Sequence, residues 1–223
     1  MIIKNDCNIT ELVIHQLKAF YVEINEDAIK KAVPNALDQM SINYEGYKDK
    51  RYILNDEVIF SPYISTQWVV FLYRLSRTLF LDGDEIAADQ VYYLNKILNS
   101  VDWLYSVKLP PHFYCEHPLG SILGRAIYGD GLFVNQGTTV GGNIKDGKVI
   151  YPTIGDNVIL FANATIIGNT NIGRNVIISA NTYLINDNVP DNCIVFGKSP
   201  QIEIKKKSEE YMIEYIMKQR GWN

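Results

Sequence analysis

His117 is the residue in this sequence best placed to act as a general base. It lies in the segment CEHPLG, directly after Glu116, and Asp102 precedes it by about one coil of the repeat described below. A carboxylate at that spacing could hold an imidazole ring and fix its tautomer, so that the other nitrogen can take a proton. The alternative is a histidine packed for structural reasons, the usual role of an isolated histidine. Of the other two histidines, His15 falls in a predicted helix, and His112 is expected to be a surface or packing residue.

The composition indicates a globular protein and excludes several other classes. The chain has 223 residues, 47% hydrophobic and 21% charged, and its formal net charge of −4 argues against a nucleic-acid-binding protein. Three distant cysteines (Cys7, Cys115 and Cys193) lack the spacing of metal ligands, so we expect reduced thiols, a cytoplasmic location and no bound metal. The N-terminal segment lacks the pattern of a secretory signal, and no apolar run is long enough for a membrane span.

The first hundred residues are predicted to be α-helical. One helix is expected to begin near Asn8 or Thr10, either of which could cap its first turn. Its apolar positions are Leu12, Leu17 and Phe20. Residues 41–56 are polar and rich in tyrosine, which predicts a loop. Residues 65–101 predict two helices, joined at Asp82-Gly83-Asp84, whose apolar faces pack against each other or against another subunit.

Apolar residues recur at every sixth position across the second half of the chain. The positions in phase are Ile122, Tyr128, Val134, Val140, Ile154, Leu160, Ile166, Ile172, Ile178 and Leu184. The residues two places before the last six are mostly small or β-branched: Pro152, Val158, Ala164, Thr170, Val176 and Thr182. The phase is interrupted once, by GGNIKDGKVIYPT, which predicts a projecting loop. Beyond Pro190 the pattern is expected to lapse.

A period of six residues is typical of a β-solenoid. Three short strands with a turn after each form one triangular coil, and stacked coils bury a column that no single coil could bury. Asn and Gly recur in GDN, GNTN and GRN, where the turns require a positive φ. Ordinary hairpins with chance spacing would not keep so many residues in phase. We therefore predict a helical region over residues 1–100, a solenoid domain over 101–200 and a charged tail, strand or helix, over 201–223.

Residues 73–200 resemble the serine O-acetyltransferase branch of the hexapeptide-repeat acyltransferases. FLYRLSRTLF is similar to that family's last long helices, and VDWLYSVKLPPHFYCEHPLG matches the segment that carries its Asp and its Asp-His pair, at the same separation. NQGTTVGGN resembles the family's TLGG coil, YPTIGDNVILFANATIIGN aligns with the next coil without a gap, and GKSP resembles the closing GVP turn.

This resemblance implies a left-handed parallel β-helix that assembles as a homotrimer, or as a dimer of trimers, with acetyl-CoA in the groove between neighbouring prisms. His117 would be the general base, and Asp102 would hold the other nitrogen of its imidazole. A backbone N–H near Gly141 or Gly142 could stabilise the oxyanion. The mechanism needs neither an acyl-enzyme nor a metal.

The resemblance also implies residues that bind acetyl-CoA. Gly142, Ala162 and Ala180 match small residues along which the pantetheine arm lies, although core packing would equally explain the two alanines. Lys198 and the run Lys205-Lys206-Lys207 are candidates to meet the nucleotide phosphates, or else they form a solvated surface.

The acceptor side departs from the family's pattern. Ile150-Tyr151 stands where the family has an Arg-His pair that resembles a carboxylate-binding site, Glu116 replaces an aspartate, and Arg125 replaces an acidic residue. Asp56 is the one candidate for the family's amine-binding aspartate. Tyrosine, arginine and glutamate suit a polyhydroxylated sugar, which an aromatic ring can stack against and a hydroxyl can hydrogen-bond.

Three functions follow as hypotheses. The first is an acetyl-CoA-dependent O-acetyltransferase that acts on a sugar hydroxyl in surface-polysaccharide or glycan biosynthesis. The second is a true serine O-acetyltransferase of cysteine biosynthesis. The third is a non-catalytic solenoid that serves as an assembly partner, which the presence of both His117 and Asp102 argues against. The expected partners are a small-molecule or glycan acceptor and other copies of the chain, with no nucleic acid.

Overall fold

The computed structural model describes residues 1–47 and 49–219. The chain divides into two compact units, residues 1–106 and residues 107–223. Residues 220–223, the end of the predicted charged tail, lie outside the described part of the chain.

The first unit is helical and contains one small sheet. Its helices are α1 (Ile9–Lys18), α2 (Glu26–Asn43), α3 (Ser65–Leu81) and α4 (Glu85–Asn99). Its strands are β1 (Ile2–Ile3), β2 (Ile53–Leu54) and β3 (Glu57–Phe60), and a short 3-10 helix spans Lys4–Asp6. Strand β3 pairs with β1 in parallel and with β2 antiparallel.

Local sequence signals set the ends of these helices. The Asn8 side chain accepts a hydrogen bond from the Glu11 N–H (3.2 Å), as expected of an N-cap, which confirms the start of α1. The predicted pair of helices is also confirmed, since α3 ends and α4 begins on either side of Asp82–Asp84. Asp84 caps α4 by accepting from the Ala87 N–H (3.0 Å).

Two expectations for this unit are wrong. Residues 41–56 are not simply a loop, because α2 continues to Asn43 and a hairpin joins β2 to β3 through Asn55 and Asp56, both with positive φ. Phe20 does not belong to the buried face of α1, because the helix ends at Lys18 and the ring is left 49% exposed.

The second unit is a parallel β-helix with an inserted hairpin. Its strands are β4 (Phe113–Cys115), β5 (Ile122–Leu123), β6 (Ile127–Tyr128), β7 (Leu132–Val134), β8 (Thr139–Gly141), β9 (Asn143–Lys145), β10 (Lys148–Ile150), β11 (Thr153–Ile154), β12 (Ile159–Leu160), β13 (Thr165–Ile167), β14 (Asn171–Ile172), β15 (Val176–Ile178), β16 (Tyr183–Ile185), β17 (Asn188–Val189), β18 (Cys193–Lys198) and β19 (Gln201–Lys206). Three parallel stacks form the faces of the prism: β4-β7-β12-β15-β18, β5-β8-β13-β16 and β6-β11-β14-β17. The predicted projecting loop is the antiparallel hairpin of β9 and β10.

The length of each coil follows from hydrogen bonds between stacked corners. Asn157 donates to Asn175 across 18 residues, which is one coil of three hexads. Asp130 donates to Asp156 across 26 residues, because that coil also contains the hairpin. Six corner asparagines adopt φ between 53° and 61°: Asn157, Asn163, Asn175, Asn181, Asn186 and Asn192. Asparagine is one of the few residues other than glycine that tolerates this conformation, so the corners explain the recurring Asn of the sequence.

The interior of the prism is the column of aliphatic residues that the sequence predicts, with a correction at each end. Every in-phase position from Tyr128 to Leu184 is buried. Ile122 is 44% exposed instead, because its neighbour Leu123 pairs with Val140 and points inward. At the other end the six-residue phase lapses as expected, but the column continues one residue out of phase, since Val195 rather than Phe196 is fully buried and pairs with Ile178.

The C-terminal segment covers the last coil. Strand β19 pairs antiparallel with β18, and α5 (Glu209–Gln219) follows it. Helix α5 buries Met212 and Ile216, which fixes it to the unit despite its charged surface.

We expect Ile166→Ala to lower the free energy of unfolding by about 2–5 kcal/mol, because it removes fully buried methyl groups and leaves a cavity in the column. Ile122→Ala is the matched control, and its half-exposed side chain should change stability by no more than about 0.5 kcal/mol. Urea unfolding followed by circular dichroism, at one protein concentration, measures both variants. Equal losses would contradict the inward direction assigned to Ile166 and the outward direction of Ile122.

Candidate functional site

His117 lies on an unusual turn at the start of the β-helix. It follows β4, has a φ of +48°, and its carbonyl accepts a hydrogen bond from the Leu119 N–H (2.8 Å). The preceding residue is fixed to the next coil, because the Glu116 N–H donates to the Val134 carbonyl (3.0 Å) and the Asn135 side chain donates to the Glu116 carbonyl (3.3 Å). The exposed imidazole of His117 has no hydrogen-bond partner among the residues that the structure describes. A left-handed conformation at an exposed histidine is a feature that often accompanies function.

Asp102, in the helical unit, is held by two residues that the sequence analysis missed. The Tyr92 hydroxyl donates to Oδ1 (2.6 Å), and the Lys96 ammonium donates to Oδ2 (2.7 Å). Tyr92 and Lys96 are four residues apart on α4, a spacing that places them on one face of the helix and could have pointed to them. The pairing of Asp102 with His117 stays a prediction.

Tyr92, Lys96 and Asp102 form a cluster, and the charge of each member is set by its contacts with the others. Burial raises the pKa of Asp102, but the hydrogen bonds from Lys96 and Tyr92 outweigh it and leave the pKa below its ordinary value. Burial, and then the Asp102 carboxylate, raise the pKa of Tyr92, while the hydrogen bond to Asp102 raises the pKa of Lys96. At neutral pH the cluster is therefore an anion between a neutral hydroxyl and a cation.

We expect Lys96→Met to destabilise the protein at pH 7, by at most about 1 kcal/mol because the pair is partly exposed. The folded pKa of Asp102 is depressed, so the stabilisation is present above the ordinary value of 3.8 and is lost as the pH falls through the folded value. The melting-temperature difference between wild type and Lys96→Met should thus shrink below pH 3.8. Lys108→Met, which removes an exposed lysine without a described ion pair, should differ little from wild type at any pH. A pH-independent difference for Lys96→Met would contradict this account.

His112 lies partly exposed at the surface, as expected, and it also pairs with a carboxylate. Its Nδ1 lies 2.7 Å from Oδ2 of Asp130, and its backbone N–H donates to Oδ1 (2.9 Å). Burial raises the pKa of Asp130, and the hydrogen bonds from His112 more than reverse this, so the pKa lies below its ordinary value. The Asp130 N–H in turn donates to the Asp156 carboxylate (2.7 Å), so the pair belongs to a ladder along one corner. No spacing in the sequence pointed to it, because the partners lie on successive coils.

Arg125 and Tyr151 come together in the wall of one cleft of the β-helix unit. The cleft has a volume of about 760 Å³, within the range of small-molecule sites. Its wall includes Lys145, Asp146 and Lys148 of the β9–β10 hairpin. The structure thus brings together two of the predicted acceptor residues, Arg125 and Tyr151, and places the hairpin's lysines beside them.

Gly142 is small because the hairpin packs against it. A Cβ at Gly142 would lie 2.7 Å from Cγ1 of Val149 and 2.8 Å from Cε1 of Tyr151, too close for real atoms. The Tyr151 ring therefore packs against Gly142 at the base of the hairpin. The proposed contact of Gly142 with the pantetheine arm stays a prediction.

We expect Gly142→Ala to cost about 1–3 kcal/mol of stability, the usual range for overpacking. Gly141→Ala is the matched control, because the nearest atom to its added Cβ would be Cδ1 of Ile167, at 3.8 Å. Thermal unfolding compares the two. The double variant Gly142→Ala, Tyr151→Ala should lose less stability than the sum of its single variants. Strict additivity would show that the Tyr151 ring does not occupy this space.

The remaining cofactor candidates lie on the surface of the β-helix. Ala162 and Ala180 occupy the same corner on successive coils, where the Asn181 N–H donates to the Ala162 carbonyl (2.8 Å), and Ala180 is exposed. Ala162 is half-buried, and the two small side chains leave room for an extended ligand along the prism. Their contact with the pantetheine arm stays a prediction. Lys198, at the end of β18, is exposed, whereas Lys205 pairs with Glu203 (3.3 Å).

Asp56 belongs to the helical unit. It is exposed in the β2–β3 turn with a φ of +63°. It lines a second cleft, of about 480 Å³, together with Tyr44 and Tyr47. Its conformation is explained by the two-residue hairpin turn, so the structure adds no contact that favours an amine-binding role.

The described residues contain neither a candidate metal site nor a membrane-spanning helix. No group of three or more His, Cys, Asp or Glu side chains among them is arranged to hold a metal ion. None of the described helices is long and apolar enough to cross a membrane. The three cysteines are free thiols, and burial raises the pKa of Cys193 to about 11.

Comparisons with known proteins identify the β-helix. Residues 151–186 match the family of bacterial transferase hexapeptide proteins (six repeats). The chain is 31% identical over 126 residues to a serine acetyltransferase of Synechococcus elongatus, a match that covers 56% of this chain and 51% of the relative. The β-helix unit therefore contains hexapeptide repeats, and over 126 residues the chain is similar to a serine acetyltransferase. The chain thus spans about half the length of that relative.

Solved structures of serine acetyltransferases share the fold. The enzyme of Neisseria gonorrhoeae superposes with a TM-score of 0.68 at 21% identity and covers 92% of this chain and 82% of its own. The enzyme of Brucella abortus, in complex with coenzyme A, gives a TM-score of 0.66 at 20% identity and covers 91% and 85%. These similarities confirm the predicted left-handed parallel β-helix preceded by helices.

The comparisons also correct the first functional hypothesis. A sugar O-acetyltransferase of polysaccharide or glycan biosynthesis is wrong, because the relatives that match this chain are named serine acetyltransferases. That hypothesis depended on Ile150-Tyr151 in place of a basic pair and on Arg125 and Glu116. The structure gives Tyr151 a packing role beside Gly142, so its aromatic ring is not evidence for a sugar.

Proposed function

We propose that this protein is an acetyl-CoA-dependent serine O-acetyltransferase, the second hypothesis from the sequence. It would transfer the acetyl group from acetyl-CoA to the hydroxyl of serine and release CoA. The observation that carries this proposal is the 31% identity to a serine acetyltransferase over 126 residues. The structural neighbours at 20–21% identity support the fold on which such a reaction takes place.

His117 is proposed as the general base. Its exposed imidazole is held on a fixed turn and is free of other hydrogen bonds to the described residues, so it is available to a bound hydroxyl. The imidazole takes the proton as the hydroxyl oxygen attacks the thioester carbonyl. When the C–S bond breaks, the imidazolium returns the proton to the sulfur of CoA, and the base is regenerated. A backbone N–H near Gly141 or Gly142 is proposed to stabilise the oxyanion.

Asp102 is proposed to orient His117 and to stabilise its imidazolium. The contacts with Tyr92 and Lys96 support this role in one respect, because they keep the carboxylate ionised. They also restrict it, since each carboxylate oxygen already accepts a hydrogen bond. An oxygen with two lone pairs can accept a second hydrogen bond, so an imidazole N–H can still be accommodated.

Acetyl-CoA is proposed to lie along the corner that carries Ala162 and Ala180, with Lys198 near the nucleotide phosphates. The protein is further proposed to be a cytoplasmic homotrimer. Three free thiols fit a reducing compartment. Leu119 and Ile127, 60% and 68% exposed on the β-helix unit, are apolar side chains that a neighbouring subunit could cover.

The proposal is tested by incubating the protein with acetyl-CoA and L-serine and measuring free CoA and O-acetylserine. We expect His117→Ala to lower kcat by about 10²–10⁴, the usual contribution of a general base. Asp102→Asn should be milder, because the base remains. His15→Ala, the same substitution at an exposed histidine of α1, is the control and should leave kcat unchanged.

Absence of O-acetylserine with the wild-type protein would refute the proposed function. A His117→Ala variant that acetylates serine at the wild-type rate would leave the function standing and refute the assigned base. The affinity for acetyl-CoA, measured by calorimetry, should be similar in the wild type and in His117→Ala.

A further inference from the structure

The β9–β10 hairpin places two like charges opposite each other. Lys145 and Lys148 are directly paired in its register, and Asp146-Gly147 forms the tight turn with φ values of 51° and 75°. Side chains directly opposite in an antiparallel pair project from the same face about 5 Å apart, and like charges there are destabilising. A pair of this kind is tolerated more easily when an anion lies between the two ammonium groups.

A third cation lines the same cleft. Arg125 precedes β6, and its side chain lines the cleft together with Lys145 and Lys148. None of the three forms an ion pair with any residue in the described part of the chain. This concentration of unpaired positive charge is local, because the whole chain carries a net charge of −4. It would attract a small anion.

We infer that this cleft binds the carboxylate of the amino-acid acceptor, with Arg125 as the specificity-determining residue. The inference rests on the proposed function. A carboxylate needs a cation, which Ile150-Tyr151 does not supply in place of the family's basic pair, and Arg125 would supply it instead. The planar guanidinium of Arg125 can donate two parallel hydrogen bonds to a carboxylate, while Lys145 and Lys148 add charge from the hairpin.

The cleft also contains a partner for the acceptor's other charge. Asp146 lies in the wall with no described ion pair and can accept from an ammonium group. Three cations and one carboxylate around one space suit a zwitterion. The phosphates of a nucleotide would also be attracted by the three cations, but they carry no cation to pair with Asp146, so an amino acid is favoured over the nucleotide end of acetyl-CoA.

The test is the affinity for L-serine of the full chain, measured by isothermal titration calorimetry, which needs no turnover. We expect Arg125→Gln to raise the Kd for L-serine about 10- to 100-fold, the usual effect of losing a charged hydrogen bond, and to leave the Kd for acetyl-CoA within about twofold. Arg125→Lys keeps the positive charge but loses the two parallel N–H donors of the guanidinium, so its Kd for L-serine should lie between those of the wild type and Arg125→Gln. Lys218→Gln removes an exposed charge on α5 and should change neither affinity. L-serinamide, which has a neutral amide in place of the carboxylate, should bind weakly and equally to wild type and Arg125→Gln.

Each outcome decides the inference. Unchanged serine affinity in Arg125→Gln would overturn it, even if the protein acetylates serine. Weaker binding of acetyl-CoA rather than serine would also overturn it and assign the cations to phosphates. If the wild type binds serine but does not acetylate it, the proposed function fails, and the Kd ratio of Arg125→Gln to wild type still decides the role of Arg125. If it does not bind serine, both fail.

Discussion

The stacking of one inward aliphatic side chain on the next is the interaction on which the β-helix depends. A single coil of 18 residues has too little apolar surface to fold alone, but residues such as Leu160 and Ile178 pair in register on successive coils and are fully buried. The corners must then turn within a few residues, which requires positive φ and so asparagine or glycine. The hexad pattern and the recurring asparagines are two consequences of the same stacking.

The same constraint determines where the fold can vary. A coil can accept an insertion only at a corner, where the chain leaves and re-enters without shifting the strands on either side. The β9–β10 hairpin does this, since the coil that contains it spans 26 residues and yet Tyr128 still pairs with Ile154. Because the hairpin does not contribute to the column, its side chains are free to carry charge. This freedom explains how an acidic protein can place Lys145 and Lys148 beside Arg125 in one cleft.

The residues proposed for catalysis are likewise outside the repeating column. His117 lies on the turn that leads into it, and Asp102 lies in the helical unit between a tyrosine and a lysine of α4. Each is fixed by local hydrogen bonds rather than by burial. For Asp102 these bonds also set the charge, because they lower a pKa that burial would raise. The sugar hypothesis depends on the loss of a basic pair at Ile150-Tyr151, but Tyr151 packs against Gly142, and the cleft beside it is lined by the cations Arg125, Lys145 and Lys148.

The sequence by itself determined the features that depend on neighbours along the chain. The six-residue phase, the corner asparagines, the cap at Asn8 and the break between α3 and α4 all follow from local periodicity and local hydrogen bonding. Tertiary structure alone decided that Leu123 rather than Ile122 faces inward. It also decided the packing of Tyr151 against Gly142 and the pairing of His112 with Asp130. These contacts join residues on different coils or on an inserted hairpin, and their distances are set by how the coils stack, which no spacing within one segment encodes.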